Sequence, residues 1–169
     1  MARVHIEAGV VDVFVIRPGG RTRKAGGARQ PGTSKWRVLA LRRTEHTRST
    51  GSWETVHGRI EARESPPEAA LRELREETGL TPARLYTITV NPFYLQRSNT
   101  VQLAVVFAAF VEDSAVTVGP EHDEYEWLTV AGAAKRFTWP REVEALGHIR
   151  RLLRSGNAGA VEDVLRIRA

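Results

Sequence analysis

Apolar and polar residues alternate along most of this chain, and the alternation gives way to helical spacing in three stretches. Val10 to Arg17 (VVDVFVIR) is β-branched and aromatic and stops at Pro18-Gly19-Gly20, which predicts a strand in the core sheet. Trp36 to Arg43 (WRVLALRR) alternates as a second strand, with Val38, Ala40 and Arg42 sharing a face. Between them, residues 18–35 are rich in Gly, Arg and Lys and lack large apolar side chains, the composition of a solvated hairpin loop. Gly51-Ser52-Trp53 leads into another short strand. Leu85 to Val90 (LYTITV) alternates again, and Asn91-Pro92-Phe93-Tyr94 is expected to break or bend it. Val101 to Val111 (VQLAVVFAAFV) is apolar throughout and predicts a central strand covered on both faces. Val130 to Phe137 has helical spacing, as does the stretch from Pro140 to Arg154, where Val143, Leu146, Ile149 and Leu153 form one stripe and Gly156 ends the run.

The remaining helical stretch has ends that can be read directly. Ser65 offers an N-cap oxygen, Pro66 suits the first helical position, Glu68 completes a capping box, and Gly79 stops the helix. Pro67, Ala70, Leu71, Leu74 and Thr78 fall on one mostly apolar arc, and Glu73, Glu76 and Glu77 occupy the adjoining one. Carboxylates at i, i+3 and i+4 repel one another, and here they crowd the helix half where the macrodipole favours cations. A divalent cation removes both objections, because several carboxylates supplemented by water and substrate phosphate are what Mg²⁺ prefers. The triplet alone also fits a solvated acidic face screened by Arg72 and Arg75.

The surrounding spacing separates the two readings. Gly58, five residues, Glu64, seven residues, then Arg72-Glu73-Leu74-x-Glu76-Glu77-x-Gly79-Leu80 resembles the signature of the Nudix hydrolase superfamily. Seven of these positions demand one residue type, so at about 7% background usage a chance match is on the order of 10⁻⁸ per start point. The resemblance implies a loop-helix-loop Mg²⁺ site, with Mn²⁺ as a substitute, that hydrolyses a nucleoside diphosphate linked to another moiety. It implies Glu73, Glu76 and Glu77 as metal carboxylates, and Glu64 and Arg72 as a structural pair tying loop to helix. Gly58 and Gly79 complete the motif. In the commonest pattern a glycine before Gly58 lends its carbonyl to the metal; His57 stands there and can still supply that carbonyl, although it restricts the backbone.

Further along, Glu121-His122-Asp123-Glu124-Tyr125-Glu126-Trp127-Leu128 resembles the Nudix branch that includes dihydroneopterin triphosphate and deoxynucleoside triphosphate pyrophosphatases. That likeness implies Glu121 as a further metal ligand or the general base, with Asp123 and Glu124 as competitors. The proton of the attacking water then goes to Glu121 or to a helix carboxylate, Glu76 or Glu77. Arg42, Arg43 and Arg97 are candidate phosphate contacts, and Trp53 is a candidate stacking partner for a base or pterin. The resulting expectation is a nucleoside or dihydroneopterin triphosphate cleaved to the monophosphate and pyrophosphate. ADP-ribose, a dinucleoside polyphosphate, RNA 5′ ends or a non-catalytic nucleotide- or RNA-binding role are the alternatives.

Composition adds bounds. At 169 residues the chain is long enough for one core, so we expect a single α+β domain over 1–169. Its architecture should be an α/β/α sandwich with a mixed sheet flanked by helices, a core at about 10–154 and a short tail at 157–169. A formal charge of +5 and a pI near 10.2 favour a polyanionic partner, which a small polyphosphate satisfies and a nucleic acid also would. Cysteine is absent, which fits a reducing cytosol, and no apolar run approaches a membrane span; a cytoplasmic protein, as monomer or homodimer, is the expectation.

Overall fold

The computed structural model describes residues 3–19 and 33–168, so most of the basic loop at 18–35 lies outside the described residues. Eight strands form one mixed sheet: β1 (His5–Arg17), β2 (Arg37–Arg43), β3 (Trp53–Glu54), β4 (Val56–Arg59), β5 (Arg84–Leu95), β6 (Thr100–Phe110), β7 (His122–Leu128) and β8 (Arg166–Ile167). The order across it is β3-β2-β1-β6-β5-β8, with β4 added to β1 and β7 to β2. β1 runs parallel to β6 and antiparallel to β2 and β4, which makes the sheet mixed.

Strand alternation divides the core into two layers. Val11, Val13, Val15, Leu39 and Leu41 face α1 (Pro66–Thr78), which buries Ala69, Ala70 and Leu74 against them. Phe14, Ile16, Val38 and Ala40 face the opposite way. There they meet α2 (Val130–Arg136) and α3 (Pro140–Leu153) through Ala133, Ala145, Leu146, Ile149 and Leu153. This is the expected α/β/α sandwich. Among the described residues no helix is long and apolar enough to cross a membrane.

The helix ends follow their local chemistry. The Glu68 carboxylate accepts from the Ser65 backbone N–H at 2.8 Å and from its hydroxyl at 2.6 Å, closing the entry to α1. Gly79 ends the helix with φ +71°, a conformation that disfavours any residue with a Cβ. At α2 the Thr129 hydroxyl accepts from the Gly132 N–H at 3.0 Å. Thr129→Ala should cost about 1 kcal/mol, read as a fall of roughly 2–4 °C in Tm for a domain of this size.

Two boundaries differ from the sequence expectation. β1 begins at His5, because His5 to Glu7 pair with Thr100 to Gln102 of β6. That extension is exposed and held by backbone ladder bonds, so apolar patterning does not mark it. β5 continues through Asn91-Pro92-Phe93-Tyr94, and its irregularity falls between Thr87 and Thr89 instead. Among the described residues only Leu85 and Tyr86 of β5 pair with β8, so near Pro92 one flank of the strand has no ladder there to lose, and an edge tolerates the missing N–H. The tail adds both a short α4 (Glu162–Leu165) and β8.

Candidate active site

The motif residues meet where α1 crosses β4. Gly58 pairs with Val11 of β1, and a Cβ built on it would lie 1.9 Å from the carboxyl carbon of Glu73 and 2.1 Å from its Oε1. The glycine therefore makes the space in which the Glu73 carboxylate sits. Arg72 holds the preceding loop: its Nε and Nη2 grip the two oxygens of Glu64 at 2.9 Å each, and Nη2 also reaches the Arg59 carbonyl at 2.7 Å. Its Nη1 turns back to Glu73 at 2.8 Å and Glu76 at 3.2 Å. The planar guanidinium suits this forked task, and its charge is held more firmly than usual by Glu64 and then Glu73, against the cost of burial.

Glu77 is buried among like charges. Its Oε2 is buried and has no hydrogen-bond partner. Burial, followed by the fields of Glu73, Glu54 and Glu121, pushes its proton affinity well above the ordinary carboxylate range. Glu73 is raised as well, by burial first.

The loop between β6 and β7, on the α1 side of the sheet, completes the group. The N–H groups of Thr117 and Gly119 donate to the carbonyls of Thr78 and Glu77, each at 3.0 Å, satisfying the C-terminal end of α1. Gly119 approaches so closely that a Cβ there would lie 2.8 Å from the Glu76 carbonyl oxygen. This strap delivers Glu121 and His122. The His122 ring, fully buried, stands with Nδ1 3.9 Å from Glu77 Oε2 and Nε2 3.4 Å from Glu54 Oε1. Arg43 then bridges Glu54 at 2.7 Å and Glu121 at 3.0 Å. For Glu54, burial alone would raise the proton affinity, but the bonds from His122 and Arg43 outweigh it and hold the group below its usual value.

The arrangement fits Mg²⁺ or Mn²⁺. Its donors are hard carboxylate oxygens, one of them buried without a partner, in a group whose mutual repulsion a cation would relieve. Among the described residues no three acidic or histidine side chains already converge as a ligand set. Arg72 accounts for part of this, since its guanidinium engages Glu73 and Glu76 as the positive partner.

Of the other expected residues, Arg42, Arg43 and Trp53 border one surface cavity of about 630 Å³. Arg42 is committed to Asp123 at 2.8 Å and Glu124 at 2.7 Å, and the Trp53 ring lies under the Arg136 guanidinium, 4.8 Å from its centroid. Arg97 sits in the exposed turn between β5 and β6, with no bond to the carboxylate group among the described residues. The His57 side chain points away from Glu73, on the opposite face of the sheet, where Nδ1 lies 2.6 Å from Asp12 Oδ1. Sequence patterning missed Glu54, Asp12, Arg141 and Glu142. The signal for Asp12 is an acid inside an otherwise apolar run. Arg141, 3.5 Å from Asp12, stacks over Phe93, and Glu142 accepts from the Thr55 N–H at 3.1 Å.

Comparison with known proteins agrees with this geometry. The model of the NUDIX domain matches residues 20–146. The chain is 41% identical over 103 residues to an octanoyltransferase of Myxococcus xanthus, a match covering 59% of this chain and 28% of that protein. In fold it is similar to the MutT protein of Methanosarcina mazei, with TM-score 0.65 and 23% identity over 89% of this chain and 97% of that one. It is also similar to the dihydroneopterin triphosphate pyrophosphohydrolase of Escherichia coli, with TM-score 0.57 and 23% identity over 80% and 91% of the two chains. With that family match over most of its length and the motif carboxylates side by side on α1, this chain belongs to the Nudix family.

Proposed function

We propose that the domain cleaves a nucleoside or dihydroneopterin triphosphate to the monophosphate and pyrophosphate. The observation that carries this is the run Glu77–His122–Glu54–Arg43–Glu121, in which the Glu-His pair before β7 joins the helix carboxylates. Glu73, Glu76, Glu77, Glu121 and the His57 carbonyl would hold Mg²⁺. Bound there, the ion would lower the pKa of water and neutralise the phosphate oxygens and the leaving group.

The chain's own groups do the rest. Arg43 holds Glu121 at the rim of the site, where the carboxylate is placed to accept a proton from an incoming water. Buried His122 stands between Glu54, which it bonds at 3.4 Å, and Glu77. Arg42 and Arg43, which border the adjoining cavity, are the cations we assign to a polyphosphate tail. Phe93 and Trp139 both pack on Arg141 and are partly exposed.

The test is a panel of nucleoside triphosphates, dihydroneopterin triphosphate, ADP-ribose and a dinucleoside polyphosphate with Mg²⁺, scored separately for pyrophosphate and phosphate. Pyrophosphate from a triphosphate is the expected product. Preferential turnover of ADP-ribose or the dinucleotide would replace this substrate assignment, and failure to cleave any of them would leave a binding module.

A further inference from the structure

A cavity of about 810 Å³ opens away from the motif carboxylates, with Leu71 and Arg75 of α1 in its wall. It lies at the β5–β8 edge of the sheet, whereas the candidate active site is built on β1, β4 and β3, toward the other edge. None of its lining residues belongs to that site. Its floor is aliphatic: Leu71 on α1, Leu85 on β5 and Ile167 on β8 are the surface of the same core layer that packs under α1. Its rim is cationic.

Arg75, Arg84, Arg166 and Arg168 are among the residues that line the space, with two acidic residues, Glu162 and Asp163. Two of the four are committed to the fold. Arg84 donates to the Gly156 carbonyl and lies over Phe110, and Arg166 pairs with Glu162 at 3.4 Å. Glu162 is largely spent as well, accepting from the Tyr86 hydroxyl at 2.9 Å and the Ala158 N–H at 2.7 Å. Arg75 and Arg168 have no ion pair among the described residues, so their charge is available at the rim. The lining contains no aromatic ring, so it offers nothing on which a heterocycle could stack. A volume within the range of small-molecule sites, an aliphatic floor and unspent guanidiniums together describe a ligand with two unlike ends.

We propose that this cavity is a second ligand site, for a small molecule joining a phosphate or similar oxyanion head to an aliphatic body. The head meets Arg75 and Arg168, and the body covers Leu71, Leu85 and Ile167. Because Leu71 and Arg75 are on α1, the ligand would touch the helix that carries the motif carboxylates. The proposal does not rest on the substrate assigned above.

The experiment uses the whole ¹⁵N-labelled chain in EDTA, titrated with hexyl phosphate, inorganic phosphate and hexanol in turn. Hexyl phosphate should shift amides of residues 81–85 and 162–168 and bind at least roughly tenfold more tightly than either of the other two. Arg75→Gln with Arg168→Gln should weaken it by about tenfold again, while Mg²⁺-dependent turnover and Tm stay at wild-type values. Shifts confined to residues 54–58 and 73–77, inorganic phosphate binding as tightly as hexyl phosphate, or affinity unchanged in the double variant would each overturn the proposal. The amide map on the unaltered chain decides the location even if the double variant is unstable.

Discussion

Glu77→Gln should lower the rate of pyrophosphate release by roughly 10³-fold or more, about 4 kcal/mol in the barrier, while the melting temperature in EDTA holds or rises. The first half follows from the position of the group. Glu77 is the most deeply buried of the helix carboxylates, and its Oε2 is without a partner beside Glu73, Glu54 and Glu121. Glutamine keeps the shape and loses the charge that a cation would need. The second half follows from the same surroundings: an ionised carboxylate there is disfavoured by burial and by its neighbours, so neutralising it removes a cost from the folded state. Added Mg²⁺ should raise the melting temperature of the unaltered chain and leave that of the variant nearly unchanged. Turnover within a few-fold of wild type would remove Glu77 from the role assigned to it.

Gly58→Ala should cost about 1–3 kcal/mol of stability, the usual range for forcing a methyl into a packed site, together with at least about a hundredfold of activity, since a small misplacement of a catalytic group has that effect. The added Cβ would fall 1.9 Å from the Glu73 carboxyl carbon and 2.4 Å from its Cγ, so the whole side chain has to leave its place. Glu73 has little freedom to do so, because Arg72 holds it at 2.8 Å and Arg72 is itself gripped by Glu64 and the Arg59 carbonyl. Urea unfolding and turnover on the same preparation separate the two losses. A variant that is destabilised and fully active would show that the place of Glu73 does not matter to the chemistry.

Much of the site is written in consecutive residues. The interval from Gly58 to Gly79 sets a loop, a capped helix and three carboxylates on adjoining positions of one helix face, and α1 spans Pro66–Thr78 as the sequence implies. The Glu64–Arg72 pair follows from the same interval. Arg43 was one of two adjacent arginines that alternation could not tell apart; the structure sends it to Glu54 and Glu121 and sends Arg42 to Asp123 and Glu124. Trp53 is a candidate stacking partner by its place in the sequence, and Arg136, far along the chain, lies over its ring.

What the sequence determined by itself is therefore local: strand and helix periods, caps, and carboxylates whose spacing within one helix makes them neighbours whatever the rest of the chain does. Only the tertiary structure decided which distant groups join them. Glu54 meets His122 because β2 holds β3 on one side and β7 on the other. Asp12 meets His57 because β1 and β4 pair in a register that places them opposite each other. Pairing of that kind depends on the registers of strands remote in sequence, where a slip of one residue turns every side chain to the other face, and no short window of residues contains it.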